Sequence, residues 1–116
     1  MLKCLIDTNV ILISALDIAE NRDTEEAKII KLIVDNKIRP IITLQLLNEY
    51  HEAAKRLIDK DFASWLRYLI VDVSKPIFVS DEVCKELEPK FVGLIPKEDL
   101  RYFVSCIIAE ADYLIS

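Results

Sequence analysis

Three carboxylates, Asp7, Glu49 and Asp99, are the residues of this 116-residue chain best suited to chemistry. Asp7 ends a short apolar run, Leu2-Lys3-Cys4-Leu5-Ile6, and is followed by a hydroxyl and an amide, Thr8 and Asn9. A buried strand that ends in a carboxylate and turns into a helix holds charge at a sheet edge, where open α/β sheets bind their ligands. Such a place suggests a metal or phosphate site. Hard-oxygen donors suit Mg²⁺ or Mn²⁺, which keep several waters of their own. Two or three converging carboxylates could hold such an ion and direct an activated water at a phosphodiester. Spacing alone does not bring the three together. On spacing, each reads first as a solvated or capping residue, and Asp99 could be a helix N-cap.

The elements that would position these acids follow from hydrophobic periodicity. Residues 2–6 read as a strand buried on both faces apart from Lys3, and residues 9–16 as a helix starting at the Thr8-Asn9 corner. After the polar break 21–26, Asp23 or Thr24 is the expected N-cap. Ala27, Ile30 and Val34, with Leu32 and Ile33 beside them, form the stripe of the next helix. Asn36 is suited to the left-handed turn that ends it. Arg39-Pro40 leads into a buried Ile41-Ile42 strand. Thr43 is then placed to cap a helix over 44–58, with Glu49 at the edge of its core stripe. After a turn at 59–61, a helix carrying Phe62, Trp65, Leu66 and Leu69 runs to about residue 70. Val71-Asp72-Val73 and Ile77-Phe78-Val79 read as short β-like pieces. Ser80 or Asp81 caps a helix through Leu87, and 88–96 reads as a loop. Asp99 opens the last helix, with Phe103, Val104, Ile107 and Ile108 inward, before a final strand over 111–115. Alternating strands and helices imply a parallel sheet with helices on both faces.

Composition narrows the function classes. Apolar residues make up 53% of the chain, ample for one core in one domain. The net charge of −5 argues against a passive nucleic-acid coat, which needs Lys and Arg for phosphates. An enzyme whose acids surround a divalent cation remains compatible, because the ion reverses the local field. Cys4, Cys84 and Cys106 are scattered and there is one His, so a zinc site is disfavoured and free thiols in a reducing cytosol are expected. Asp7 interrupts the apolar run too early for a signal peptide, and no stretch approaches the ~20 apolar residues of a membrane helix. No Ser or Cys is paired with the lone His as a nucleophile would be.

The motifs resemble those of the PIN-domain family, small α/β metal-dependent nucleases that include the toxins of many prokaryotic toxin–antitoxin pairs. Leu5-Ile6-Asp7-Thr8-Asn9-Val10 looks like that family's opening strand, whose aspartate is its first metal acid. Thr43-Leu44-Gln45-Leu46-Leu47-Asn48-Glu49-Tyr50 resembles the context of its second acid, which maps to Glu49. Asp99, thirteen positions before Asp112, resembles its third; Ala111-Asp112-Tyr113-Leu114-Ile115-Ser116 is similar to its A-D-Y-L-V-T strand. The resemblance covers the whole chain in order.

It implies a single PIN-like domain over 1–116, a three-layer α/β/α fold with a central, mostly parallel sheet. It implies a Mg²⁺- or Mn²⁺-dependent endoribonuclease of the VapC-like toxin type, with Asp7, Glu49 and Asp99 as catalytic and metal-binding residues. Thr8 and Asn9 would orient a carboxylate or a water. RNA is then the expected substrate, an antitoxin protein a partner, a homodimer the assembly and the cytoplasm the location. Family members usually carry a further aspartate and a closing strand beyond the position of Ser116, where this sequence stops, so the acidic site reads as incomplete. The alternative is an inactive PIN-fold domain that binds RNA or protein. A receiver-like acidic pocket is disfavoured, because its acceptor Asp and distant Lys have no place here.

Other residues have plainer readings. His51 reads as a partly exposed structural residue, Asp112 as a turn residue, and Trp65 as core. Tyr68 and Leu69 are candidates for a dimer surface. Lys55, Arg56 and Lys60 form a modest basic cluster that reads equally as a solvated face. Asp81, Glu82, Glu86 and Glu88 read as helix-dipole complement and solubility.

Overall fold

A computed structural model describes residues 1–116. Four parallel strands, β1 (Leu2–Ile6), β2 (Ile38–Ile42), β3 (Ile77–Phe78) and β4 (Tyr113–Ile115), stand in the order β3-β2-β1-β4. Parallel neighbours need long crossovers. These are supplied by α1 (Thr8–Ala19), α2 (Ala27–Val34), α3 (Leu44–Leu57), α4 (Lys60–Tyr68), α5 (Asp81–Leu87) and α6 (Leu100–Ala109). The chain steps outward from β1 to β3 and then returns past β1 to β4. Right-handed crossovers therefore put α1 to α4 on one face and α5 and α6 on the other, giving the three-layer α/β/α arrangement expected from the sequence. The strand order reverses between β1 and β4, the place where α/β sheets open a crevice.

Burial explains the elements. Leu5, Ile6, Ile41 and Ile42 are fully buried and form the sheet's centre. Leu46, Leu47, Tyr50, Ala53 and Ala54 recur at three- and four-residue spacing and turn α3 onto it. Thr43 caps α3 by accepting a hydrogen bond from the Leu46 N–H at 3.0 Å. Asp59 caps α4 in the same way through the Phe62 N–H at 2.7 Å, and Ser80 caps α5. With one glycine in the chain, left-handed turns fall to Asn21, Asn36, Lys75 and Glu110. Asn36 ends α2 in the expected way. Cys4, Cys84 and Cys106 are free thiols. No helix is long and apolar enough to cross a membrane.

Several local expectations are corrected. Val71-Asp72-Val73 is not β-like: the chain continues from α4 into a π-helical turn, Leu69–Val73. The buried Leu69 and Ile70 hold that turn in the core, and Ser74 closes it by donating its N–H to Leu69 O at 3.0 Å and its hydroxyl to Ile70 O. Residues 88–96 are not wholly loop, since Glu88–Phe91 forms a 3₁₀ turn. Helix α1 runs three residues beyond the expected end at 16. In α2 the buried face is Ala27, Ile30 and Ile33, while Leu32 and Val34 are exposed. Leu2 and Ile107 are exposed as well, because each lies on the flank of its element away from the core.

Candidate active site

Asp7 sits where β1 turns into α1. Its N–H donates to Ile115 O at 2.8 Å, which ties it to the carboxyl end of β4. Its carboxylate accepts the Thr8 N–H at 2.9 Å and so caps α1. One carboxylate oxygen thus serves the helix start, where negative charge is favoured by the dipole. The Thr8 hydroxyl is buried and has no hydrogen-bond partner, and Asn9 is exposed.

Glu49 is held by its neighbour. Tyr50 is buried in α3 and donates its hydroxyl to the Ile6 carbonyl, one residue before Asp7. Burial pushes the Tyr50 phenol well above its usual pKa, and the nearby Tyr102, Asp7 and Glu49 add to the shift. Glu49 flanks that anchor, half-buried. Its Oε2 accepts the hydroxyl of Tyr102, on α6, at 2.6 Å. Tyr102 therefore joins the two helical layers across the carboxyl ends of the strands. Burial, with the Glu49 hydrogen bond second, raises its phenol to about 12; the neighbouring Thr8 hydroxyl acts the other way.

Asp99 follows a 3₁₀ turn, Lys97–Asp99, and stands at the N-cap position of α6. Its side chain makes no capping bond, so its position does not by itself give the carboxylate a structural task. It is exposed and lines the same cavity of about 350 Å³ as Asp7, Tyr102 and Ser116. Glu49 opens on the other side, onto a polar cleft of about 540 Å³ with Gln45, Glu52, Asp81, Lys85 and Arg101.

Asp7 and Asp99 are thus brought to one cavity, and Glu49 is linked to it through Tyr102. No three of the chain's Asp, Glu, His or Cys side chains gather closely enough to enclose a metal ion. Two carboxylates over one cavity, with an unpartnered buried hydroxyl beside them, still match a hard dication that retains most of its water. Asp112 is elsewhere. It precedes β4 at the amino end of the strands, where its Oδ2 accepts the Lys3 N–H at 2.8 Å. That is a tie between strands, at the opposite end of the sheet from Asp7.

Two residues of this region carried no chemical signal in the sequence. Tyr102 lies three positions after Asp99, hence one helical turn on along the same side of the chain; the spacing could have marked it. Arg101 is held by Asp81 at 2.6 Å, by Glu88, and by the Gln45 side chain at 2.5 Å. Asp81 and Glu88, read from the sequence as dipole complement and solubility, are its partners. His51 is half-buried with an unpartnered Nδ1, Trp65 is half-buried with its ring 5.6 Å from that of Phe62 and tilted to it by 49°, and Tyr68, Lys55, Arg56 and Lys60 are exposed.

A sheet of this order with acids at its switch point defines an α/β domain with a candidate ligand site at the carboxyl ends of its strands. The chain belongs to the PIN-domain family: that family's model, described as PIN domain, matches residues 3–116. No curated protein and no solved structure matches the chain. PIN domains are generally dependent on divalent metal, generally bind RNA and often pair with antitoxins.

Proposed function

We propose that this chain is a Mg²⁺- or Mn²⁺-dependent endoribonuclease, the toxin of a toxin–antitoxin pair. The observation that carries the reading is the shared cavity of Asp7 and Asp99 at the carboxyl ends of β1 and β4. Asp7 and Asp99 would hold the ion directly, and Glu49 would complete the set from α3. Thr8 and Asn9 would orient a carboxylate or a water beside them. The bound ion supplies Lewis acidity and lowers the pKa of a water. The chain's own part is to fix the acids on rigid elements. The Ile115 bond and the Tyr50 anchor set Asp7 and Glu49 to the same sheet edge. In the neighbouring polar cleft Lys85 is the cation left exposed for a phosphate of a single strand, since Arg101 is taken up by Asp81 and Glu88.

A second reading, an inactive PIN-fold domain that binds RNA or protein, is favoured by one observation: Glu49 is engaged by Tyr102 and no third acid reaches the cavity. Cleavage of a generic single-stranded RNA separates the two. The nuclease reading expects cutting in MgCl₂ or MnCl₂, none in EDTA, and loss of cutting in Asp7→Asn. Equal cutting by both proteins overturns the Asp7-centred nuclease site, and no cutting by either leaves the binding reading.

A further inference from the structure

We propose that the polar cleft beside Glu49 is a base-reading subsite, which takes an unpaired guanine of the RNA strand next to the phosphate held at the acids. The inference rests on the ribonuclease reading above and adds to it a preference for one base.

The cleft, of about 540 Å³, has one stripe of α3 as its floor and residues of α5 and α6 beside it. Glu49 lines it and is bonded to Tyr102, which lines the cavity of Asp7 and Asp99. A nucleotide in the cleft is therefore a neighbour of one at the acids. Gln45, Asn48 and Glu52 follow one another at three and four residues, so they share one face of α3. Two of them are already oriented. Arg101 donates to Gln45 Oε1 at 2.5 Å, and Arg67 to Asn48 Oδ1 at 3.4 Å. Arginine has only N–H groups to offer, so the amide atom that it holds is the oxygen. Each NH₂ group is left without a protein partner, as a donor for a ligand. Glu52 is the reverse: it is exposed, enters none of the ion pairs, and as a carboxylate only accepts.

An acceptor followed by two donors along one helix face calls for a base edge with adjacent donors and then acceptors. Guanine has that edge: N1–H and N2–H₂ for Glu52, then O6 and N7 for the amides of Asn48 and Gln45. Adenine and cytosine bring one amino group with a ring nitrogen acceptor beside it, and uracil brings a single N–H between two carbonyls. Leu44, 56% exposed, is the cleft's one apolar lining residue and gives the base face a surface to rest on. Lys85, exposed on α5, serves the phosphate of the same nucleotide. Such an edge is open in a single strand and covered in a duplex.

Fluorescence anisotropy of the full chain with labelled uridine hexamers tests this, in EDTA so that binding is read apart from cutting. The hexamers carry guanosine, adenosine, cytidine or inosine at one internal position; inosine is guanosine without the N2 amino group. The wild type is expected to bind the guanosine hexamer roughly tenfold more tightly than the other three, the scale of one bidentate base contact. Glu52→Gln should bind the guanosine and inosine hexamers alike. Asn48→Ala should weaken the guanosine hexamer and leave the adenosine one unchanged, and it serves should Glu52→Gln not fold. Equal binding of all four hexamers by the wild type, or a guanosine preference kept in both variants, overturns the base-reading cleft. Binding of no hexamer overturns it as well. In either case metal-dependent cutting of a generic RNA still decides the nuclease reading by itself. A guanosine preference lost in both variants, in a protein that cuts no RNA, supports the cleft and overturns only the nuclease.

Discussion

Tyr50 on α3 donates its hydroxyl to the carbonyl of Ile6 on β1, so the residues before Asp7 and after Glu49 are bonded to each other. The two acids are 42 positions apart in sequence, yet this buried hydrogen bond ties their two elements together at the carboxyl end of the sheet. Replacing Tyr50 by Phe leaves the ring and strands a buried carbonyl. That should cost about 1–3 kcal/mol of stability, read as a lower urea midpoint with an unchanged slope. An unchanged midpoint would show that the bond does not register α3 on β1.

The same tyrosines govern behaviour in alkali. Both phenols have folded-state pKa values above the usual 10: Tyr102 is raised to about 12, and burial raises Tyr50 well above its usual value. A raised folded value means that stability is whole below the unfolded pKa and is lost as pH rises through the folded one. The thiols of Cys4, Cys84 and Cys106, raised by burial above 9.0, add to this from lower pH. Stability should therefore start to fall above pH 9 and fall more steeply above pH 10. Tyr102→Phe should show a shallower decline between pH 10 and 12. Identical profiles for the variant and the wild type in that window would contradict it.

Arg101 is enclosed by Asp81 and Glu88, with only 13% of its side chain exposed. Arg101→Met leaves both carboxylates without their cation in a half-buried setting. The loss should be about 1–3 kcal/mol, below the 3–5 typical of a fully buried pair because both acids reach water. Chemical denaturation measures it. If 1 M NaCl weakened the wild type by the same amount, the clamp would be an ordinary surface pair.

Asp112 holds the start of β4 to β1 through the Lys3 N–H. Asp112→Ala should lower stability by about 1 kcal/mol and speed amide exchange at Lys3. It should leave Mn²⁺ binding intact, because Asp112 and Asp7 lie at opposite ends of the strands. Loss of Mn²⁺ binding in this variant would mean that the acids had been divided wrongly.

The parts of the fold that read directly from the sequence are those where local chemistry and tertiary packing agree. Residues 2–6 are apolar and end at Asp7, and Thr43 caps a helix whose apolar stripe recurs at three and four. Asn36 supplies the turn that a chain with one glycine needs. Val71-Asp72-Val73 misled because its alternation mimics a strand, while the burial of Leu69 and Ile70 just before it carries the helix onward. At the site, the types and order of Asp7, Glu49 and Asp99 were legible. Their division between two cavities was not, because it depends on the phenol that α6 inserts between them. The pairing of Arg101 with Asp81 and Glu88 was hidden for the same reason: it joins α5 to α6 by a contact that no local period encodes.

The most direct test of the account is calorimetric titration of MnCl₂ into the wild type, Asp7→Asn and Asp99→Asn. Asn can still cap α1 at position 7, so both variants should fold. One site is expected in the wild type and marked weakening in each variant, since both carboxylates line one cavity. Wild-type binding retained in either variant would contradict a shared site.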